Sequence, residues 1–120
     1  ADYDLGTLSA GGGIWPRTAK SVELTESARK ALGIGAQQLS PTELIHEMIK
    51  TPAYLLFNGG IGTYIKASTE SHESVGDRAN DALRVDASQL RCRVIGEGGN
   101  LGLTQLGRIE FSRRGGLCHV

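Results

Sequence analysis

The chain lacks the features that announce several protein classes. It has no net charge, because 13 Lys and Arg balance 13 Asp and Glu. That removes the global electrostatic case for nucleic acid or an anionic membrane as partner. The Arg113-Arg114 pair is too small a basic patch to restore it. Cysteine is scarce: Cys92 and Cys118 stand at no metal-ligand spacing. They are read as reduced thiols of a cytoplasmic protein and not as a disulfide framework. No apolar run approaches the roughly 20 residues of a transmembrane helix, and no signal-peptide pattern opens the chain. An initiator Met is missing at Ala1, and Val120 follows directly on what reads as the start of a strand. Both ends look cut, which suggests a piece of a longer protein. What remains is a globular composition, long enough for one compact domain with a modest core.

Glycine is what the chain has in excess. Its 17 glycines are about twice the average usage, and they cluster at 11–13, 59–62, 96–102 and 115–116. Glycine costs backbone entropy on folding, so such clusters mark turns or a close approach of backbone to something else. The first cluster leads into Ile14-Trp15-Pro16 and reads as a loop that buries one aromatic. It lacks the Lys and helix at P-loop spacing, which Arg17 and Lys20 do not supply.

Helix signals come next. Thr25 as N-cap and Gly33 as stop bound a short helix in which Ala28 and Leu32 share a face. Ser40-Pro41-Thr42-Glu43 is a capping box with Pro at the first helical position. Leu44, Ile45, Met48 and Ile49 then form an apolar stripe that Pro52 ends, with His46 off the stripe and read as a surface residue. The run from Ala53 to Phe57 is apolar without alternation, which suits a strand buried on both faces of a parallel sheet. Asn58-Gly59 could instead be a hairpin turn into Thr63-Tyr64-Ile65; the preceding helix favours the parallel reading.

Residues 66–81 are polar and read as a solvated loop or surface helix. Glu70, His72, Glu73 and Asp77 lack a second histidine at ligand spacing, and Lys66 is assigned a surface role. Leu83–Asp86 and Leu90 read as a linking segment. A strand from Cys92 to Ile95 leads into Gly96-Glu97-Gly98-Gly99-Asn100. Thr104 then caps a helix carrying Leu106, Ile109 and Arg113 on one face, although Gly107 weakens it. Leu117 begins a third strand. The expected core is Leu44, Ile45, Met48, Leu55, Leu56, Phe57, Val94, Ile95, Leu106 and Ile109.

Strand, glycine turn and helix in this order make an α/β, partial Rossmann-like fold: a mostly parallel sheet with flanking helices. Gly96-x-Gly98 is not a dinucleotide fingerprint, since Leu101 stands where the third glycine belongs. A later turn of the same kind of sheet fits better. Ligands bind outside the carboxyl ends of such strands. Asn58 and Asn100 can both donate and accept there, so two successive glycine turns could form one wall of a dinucleotide cleft. The blander readings are that both turns are tight connections, or that the chain is a non-catalytic interaction or regulatory α/β module.

Four segments carry a resemblance: Ser9-Ala-Gly-Gly-Gly-Ile-Trp-Pro-Arg-Thr-Ala-Lys20-Ser, Phe57-Asn-Gly-Gly-Ile-Gly-Thr-Tyr-Ile-Lys-Ala-Ser-Thr-Glu70, Gly76-Asp-Arg-Ala-Asn-Asp-Ala-Leu-Arg-Val-Asp86 and Arg91-Cys-Arg-Val-Ile-Gly-Glu-Gly-Gly-Asn-Leu-Gly-Leu-Thr-Gln105. Together they closely resemble the large bacterial NAD-specific glutamate dehydrogenases, within the wider glutamate/leucine/phenylalanine/valine dehydrogenase group. The resemblance covers nearly the whole chain. It implies that residues 1–120 are the C-terminal part of a dinucleotide-binding domain. The parent is then a cytoplasmic, homo-oligomeric enzyme that oxidises L-glutamate with NAD to 2-oxoglutarate and ammonium. In that group the stretch similar to Glu97, Gly98, Gly99 and Asn100 closes on the nicotinamide ribose, near the amino-acid substrate. The turn after the preceding strand, here Asn58, Gly59 and Gly60, lines the same cleft; this subfamily's Gly-Gly-Ile-Gly-Thr run departs from the shorter Ala-Thr turn of the small enzymes. The resemblance places the pyrophosphate fingerprint and the catalytic lysine and acid upstream, so no catalytic residue is assigned and the isolated chain is expected to be inactive.

Overall fold

A computed structural model describes residues 3–99 and 101–119. Strand β1 (Val22–Glu23) pairs antiparallel with β2 (Gln38–Leu39) around helix α1 (Glu26–Leu32), whose N-cap is Thr25 and whose stop is Gly33. Helix α2 (Pro41–Ile49) starts at the predicted capping box: Glu43 N donates to Ser40 Oγ at 3.2 Å, and Ser40 N to the Glu43 carboxylate at 2.8 Å. Strand β3 (Leu55–Asn58) follows, then β4 (Ile65–Lys66), the one-turn helix α3 (His72–Val75), β5 (Val85–Asp86), β6 (Val94–Glu97), helix α4 (Gln105–Arg113) and β7 (Leu117–His119).

The main sheet has the order β3-β6-β7 and is parallel throughout. Parallel neighbours need a crossover. Residues 59–93 supply it between β3 and β6, and α4 supplies it between β6 and β7. The fold is therefore α/β, as the alternation of elements predicts. The hairpin alternative fails, because β4 pairs in parallel with β5 and not with β3. The segment read as a linker, Leu83–Asp86, contains a strand, and β4 also bridges Leu103.

Two apolar clusters form the interior. The larger joins Ile65, Val85, Ala87, Leu90, Cys92, Ile95, Leu103 and Phe111. The smaller joins Val22, Leu24 and Ile34, with Leu44 of α2 packed on it. Both cysteines are free thiols, and burial raises the pKa of each above the ordinary thiol value. Among the described residues no helix is long and apolar enough to cross a membrane.

Half of the expected core is not inside. In β3, Leu55 is 51% and Phe57 64% exposed, while Leu56 and Asn58 point to the covered face. Among the described residues the strand is thus covered on one face only. Met48, Leu106 and Ile109 are also exposed. Helix α4 turns Gly107 and Phe111 inward instead, because its first turn approaches the backbone of β4 so closely that a larger residue would not fit. Trp15, expected inside, is 41% exposed and stacks over Gly13. His46 is half-buried. Lys66, assigned to the surface, is only 6% exposed and ion-paired with Asp86 across the β4–β5 register.

Candidate functional site

The register of β3 and β6 builds the site. Leu55 pairs with Val94 and Asn58 with Glu97, so the two strands end at one level. Their glycine turns therefore start side by side at the carboxyl edge of the sheet. The Asn58 carbonyl accepts from both Gly98 N (2.8 Å) and Gly99 N (3.0 Å), which ties one turn to the other. The Asn58 side chain accepts from Gly60 N at 3.2 Å, folding its own turn back. A Cβ on Gly99 would lie 2.1 Å from the Gly60 carbonyl oxygen. Only glycine permits that approach of two backbones.

Glu97 closes the other side. Its carboxylate is buried and takes a two-pronged contact from Arg108 of α4, with Nε at 2.8 Å and Nη2 at 3.0 Å, and a third bond from Leu103 N at 3.2 Å. Burial pushes the Glu97 pKa up. The Arg108 hydrogen bonds, the Leu103 amide and the Arg108 charge outweigh that, so the net shift is downward. Glu97 is thereby held ionised, and it fixes α4 against the turn.

Beyond Gly99 the backbone is unusual. Leu101 has φ +56°, the one non-glycine residue with positive φ among those described. Thr63 Oγ1 donates to its carbonyl at 2.8 Å. Tyr64 N and Ile65 N both donate to the next carbonyl, Gly102 O, at 2.9 and 3.2 Å. Next to the two turns lies a mostly apolar hollow of about 310 Å³. Ile45 and Ile49 of α2, Leu56 and Ile95 form its apolar lining, with Asn58, Tyr64 and Arg17 as its polar members. That volume is at the lower end of ligand pockets, which are predominantly apolar with a few polar groups that fix orientation.

The structure thus brings Asn58, Gly59, Gly60, Glu97, Gly98 and Gly99 into one cluster. Asn100 lies outside the described residues. Sequence reasoning missed Thr63 and the buried Arg84, which reaches Thr63 O with Nε at 2.8 Å. No periodic pattern marks either; their partners lie 38 and 21 residues away. Three of the four acidic and histidine side chains considered as a metal set, Glu70, His72 and Asp77, are engaged otherwise. Glu70 accepts from Ala67 N and Thr104 Oγ1, Asp77 accepts from Thr63 N, and His72 Nδ1 faces Arg84.

Comparison with known proteins gives a family match along residues 1–120 to the model described as "Bacterial NAD-glutamate dehydrogenase, catalytic domain". The chain is 58% identical over 116 residues to the NAD-specific glutamate dehydrogenase of Pseudomonas aeruginosa. It is 54% identical over 114 residues to that of Halomonas elongata and 52% over 122 residues to that of Mycobacterium tuberculosis. These alignments cover 95–97% of this chain but only 7–8% of each relative. A match along the whole chain, with relatives more than half identical to it, settles the membership: the chain belongs to the bacterial NAD-glutamate dehydrogenase catalytic-domain family.

Proposed function

We propose that this chain is the later part of the dinucleotide-binding domain of an NAD-dependent glutamate dehydrogenase, and that its paired glycine turns form the nicotinamide-side wall of the cofactor cleft. The observation that carries this is the Asn58 carbonyl binding the amides of Gly98 and Gly99. It sets two glycine turns flush at the carboxyl ends of neighbouring parallel strands, where open α/β sheets bind ligands. The residues fit a flat cofactor. Gly59, Gly60, Gly98 and Gly99 put no side chain in its way, the adjoining hollow is mostly apolar, and Asn58 offers an amide group.

NAD, when bound, supplies the acceptor for the hydride that leaves the α-carbon of L-glutamate on the way to 2-oxoglutarate and ammonium. The part assigned to this chain is orientation. Asn58, Gly59 and Gly60 line one side of the nicotinamide end. Glu97, Gly98, Gly99 and Asn100 line the other, with Glu97 acting through the backbone it anchors to Arg108. Holding the two reactants within reach is itself a large part of such a rate enhancement.

The test is kinetic, in the full-length enzyme. Asn100→Ala is expected to impair turnover well before it affects folding, and Asn58→Ala to raise KM for NAD. Unchanged kinetics in both variants would remove the turns from the site. The 120-residue chain alone is expected to show no glutamate-dependent NADH production; activity of the pure chain would overturn the assignment of catalysis to residues elsewhere.

A further inference from the structure

We propose that Thr63 is a positioning residue of the dehydrogenase reaction, and that the polar excursion from Thr63 to Arg84 is a brace that sets the cofactor-facing turn. The proposal rests on the cleft reading above. Its starting point is Leu101, which directly follows Asn100 in the chain. A left-handed backbone at a leucine is costly and persists only where the surroundings impose it.

Those surroundings come from one segment. Thr63 Oγ1 holds Leu101 O at 2.8 Å, and the amides of Tyr64 and Ile65 hold Gly102 O. Ile65 bridges Leu103 and accepts from Thr104 N at 3.0 Å. Glu70 accepts from Thr104 Oγ1 at 2.6 Å. Every residue from 101 to 104 is therefore gripped by residues 63–70.

Thr63 is itself held from behind. Its N–H donates to Asp77 Oδ2 at 2.9 Å, and its carbonyl accepts from Arg84 Nε at 2.8 Å. The Arg84 side chain is fully buried. It spends its remaining nitrogens on Asp77 O and Asp81 Oδ1, both at 2.6 Å, and on the His72 ring. Burying a guanidinium is expensive unless its hydrogen bonds are satisfied. Here that outlay secures the carbonyl of the residue that grips Leu101. Such a chain of contacts acts on the placement of the turn and touches no substrate atom.

The experiment uses the full-length enzyme. Thr63→Val removes the hydroxyl and keeps the shape. It should lower kcat/KM for NAD about tenfold, the factor one lost hydrogen bond supports, with an unchanged thermal midpoint. Thr63→Ser restores the hydroxyl and should lie within about twofold of wild type on the same reasoning. Leu101→Gly removes the cost of the left-handed backbone but also frees the chain to leave that conformation, so it should lower kcat/KM for NAD by loosening the turn while leaving the thermal midpoint at or above that of wild type. A merely structural contact would not produce that split, and this variant carries the test should Thr63→Val fail to fold.

Gly99→Ala, which drives a methyl into Gly60, is the control for the cleft itself. If it cuts kcat/KM for NAD while Thr63→Val and Leu101→Gly do not, the brace is overturned and the cleft stands. If all three leave the kinetics with NAD unchanged, the cleft reading fails and the brace with it. Loss in Thr63→Ser as large as in Thr63→Val also overturns the brace.

Discussion

Gly107 sets two effects of similar size against each other. It sits in the first turn of α4, where helix propensity alone predicts that alanine gains about 0.5–1 kcal/mol. The surroundings say the reverse. A Cβ there would lie 3.0 Å from Thr104 Oγ1, 3.1 Å from the Lys66 carbonyl carbon and 3.3 Å from the Ile65 carbonyl oxygen. Two of those atoms are backbone of β4, held by its pairing with β5 and by the Thr104–Ile65 bond. They can yield only by moving the strand. Overpacking of this kind costs about 1–3 kcal/mol, so Gly107→Ala should lose roughly 1–2 kcal/mol net. That corresponds to a melting midpoint lower by about 4–8 °C for a domain near this size. Gly35→Ala is the matched control. Its Cβ meets nothing within 4 Å, and its φ lies outside the left-handed region, so it should be neutral or gain about 0.4–1 kcal/mol. Thermal and urea unfolding of the chain, followed by circular dichroism, read both. A Gly107→Ala chain as stable as Gly35→Ala would refute the close seating of α4 on β4.

Two further outcomes follow from the ion pairs. Because the Glu97 carboxyl is held below its ordinary value of 4.5, its stabilisation is complete above that pH and is lost as pH falls through the folded value. Acid unfolding should therefore steepen below about pH 4.5, and Glu97→Gln should flatten that limb. At neutral pH the same variant should cost about 2–4 kcal/mol, since it leaves Arg108 largely buried without its counter-charge. Lys66→Met should cost no more than about 1 kcal/mol, since an apolar side chain of similar volume suits the site. Asp86→Asn should cost about 2–3 kcal/mol because it strands the buried ammonium. Equal losses in the two variants, measured by urea titration, would refute this asymmetry.

What could be read from the sequence was local. The α2 capping box is four residues long and its two hydrogen bonds close within it. A helix feeding an unalternating apolar run correctly favoured a parallel β3 over a hairpin. The placement of Asn58 beside the second glycine turn followed from two strands of the same kind ending in the same kind of turn. The side a residue faces was harder. Leu55 and Leu56 look alike in sequence, as a strand covered on both faces requires, yet only one cover lies within these residues. On α4 the apolar pattern selected Leu106 and Ile109, whereas the need for backbone approach selected Gly107. Thr63 and Arg84 act through polar contacts with distant partners, and polar residues in a loop carry no period that would reveal them.

The shared acceptor at Asn58 also bears on motion. One carbonyl holding Gly98 and Gly99 at 2.8 and 3.0 Å couples the two turns at their bases. A displacement of either turn alone is therefore opposed by both bonds, each worth about 0.5–1.5 kcal/mol.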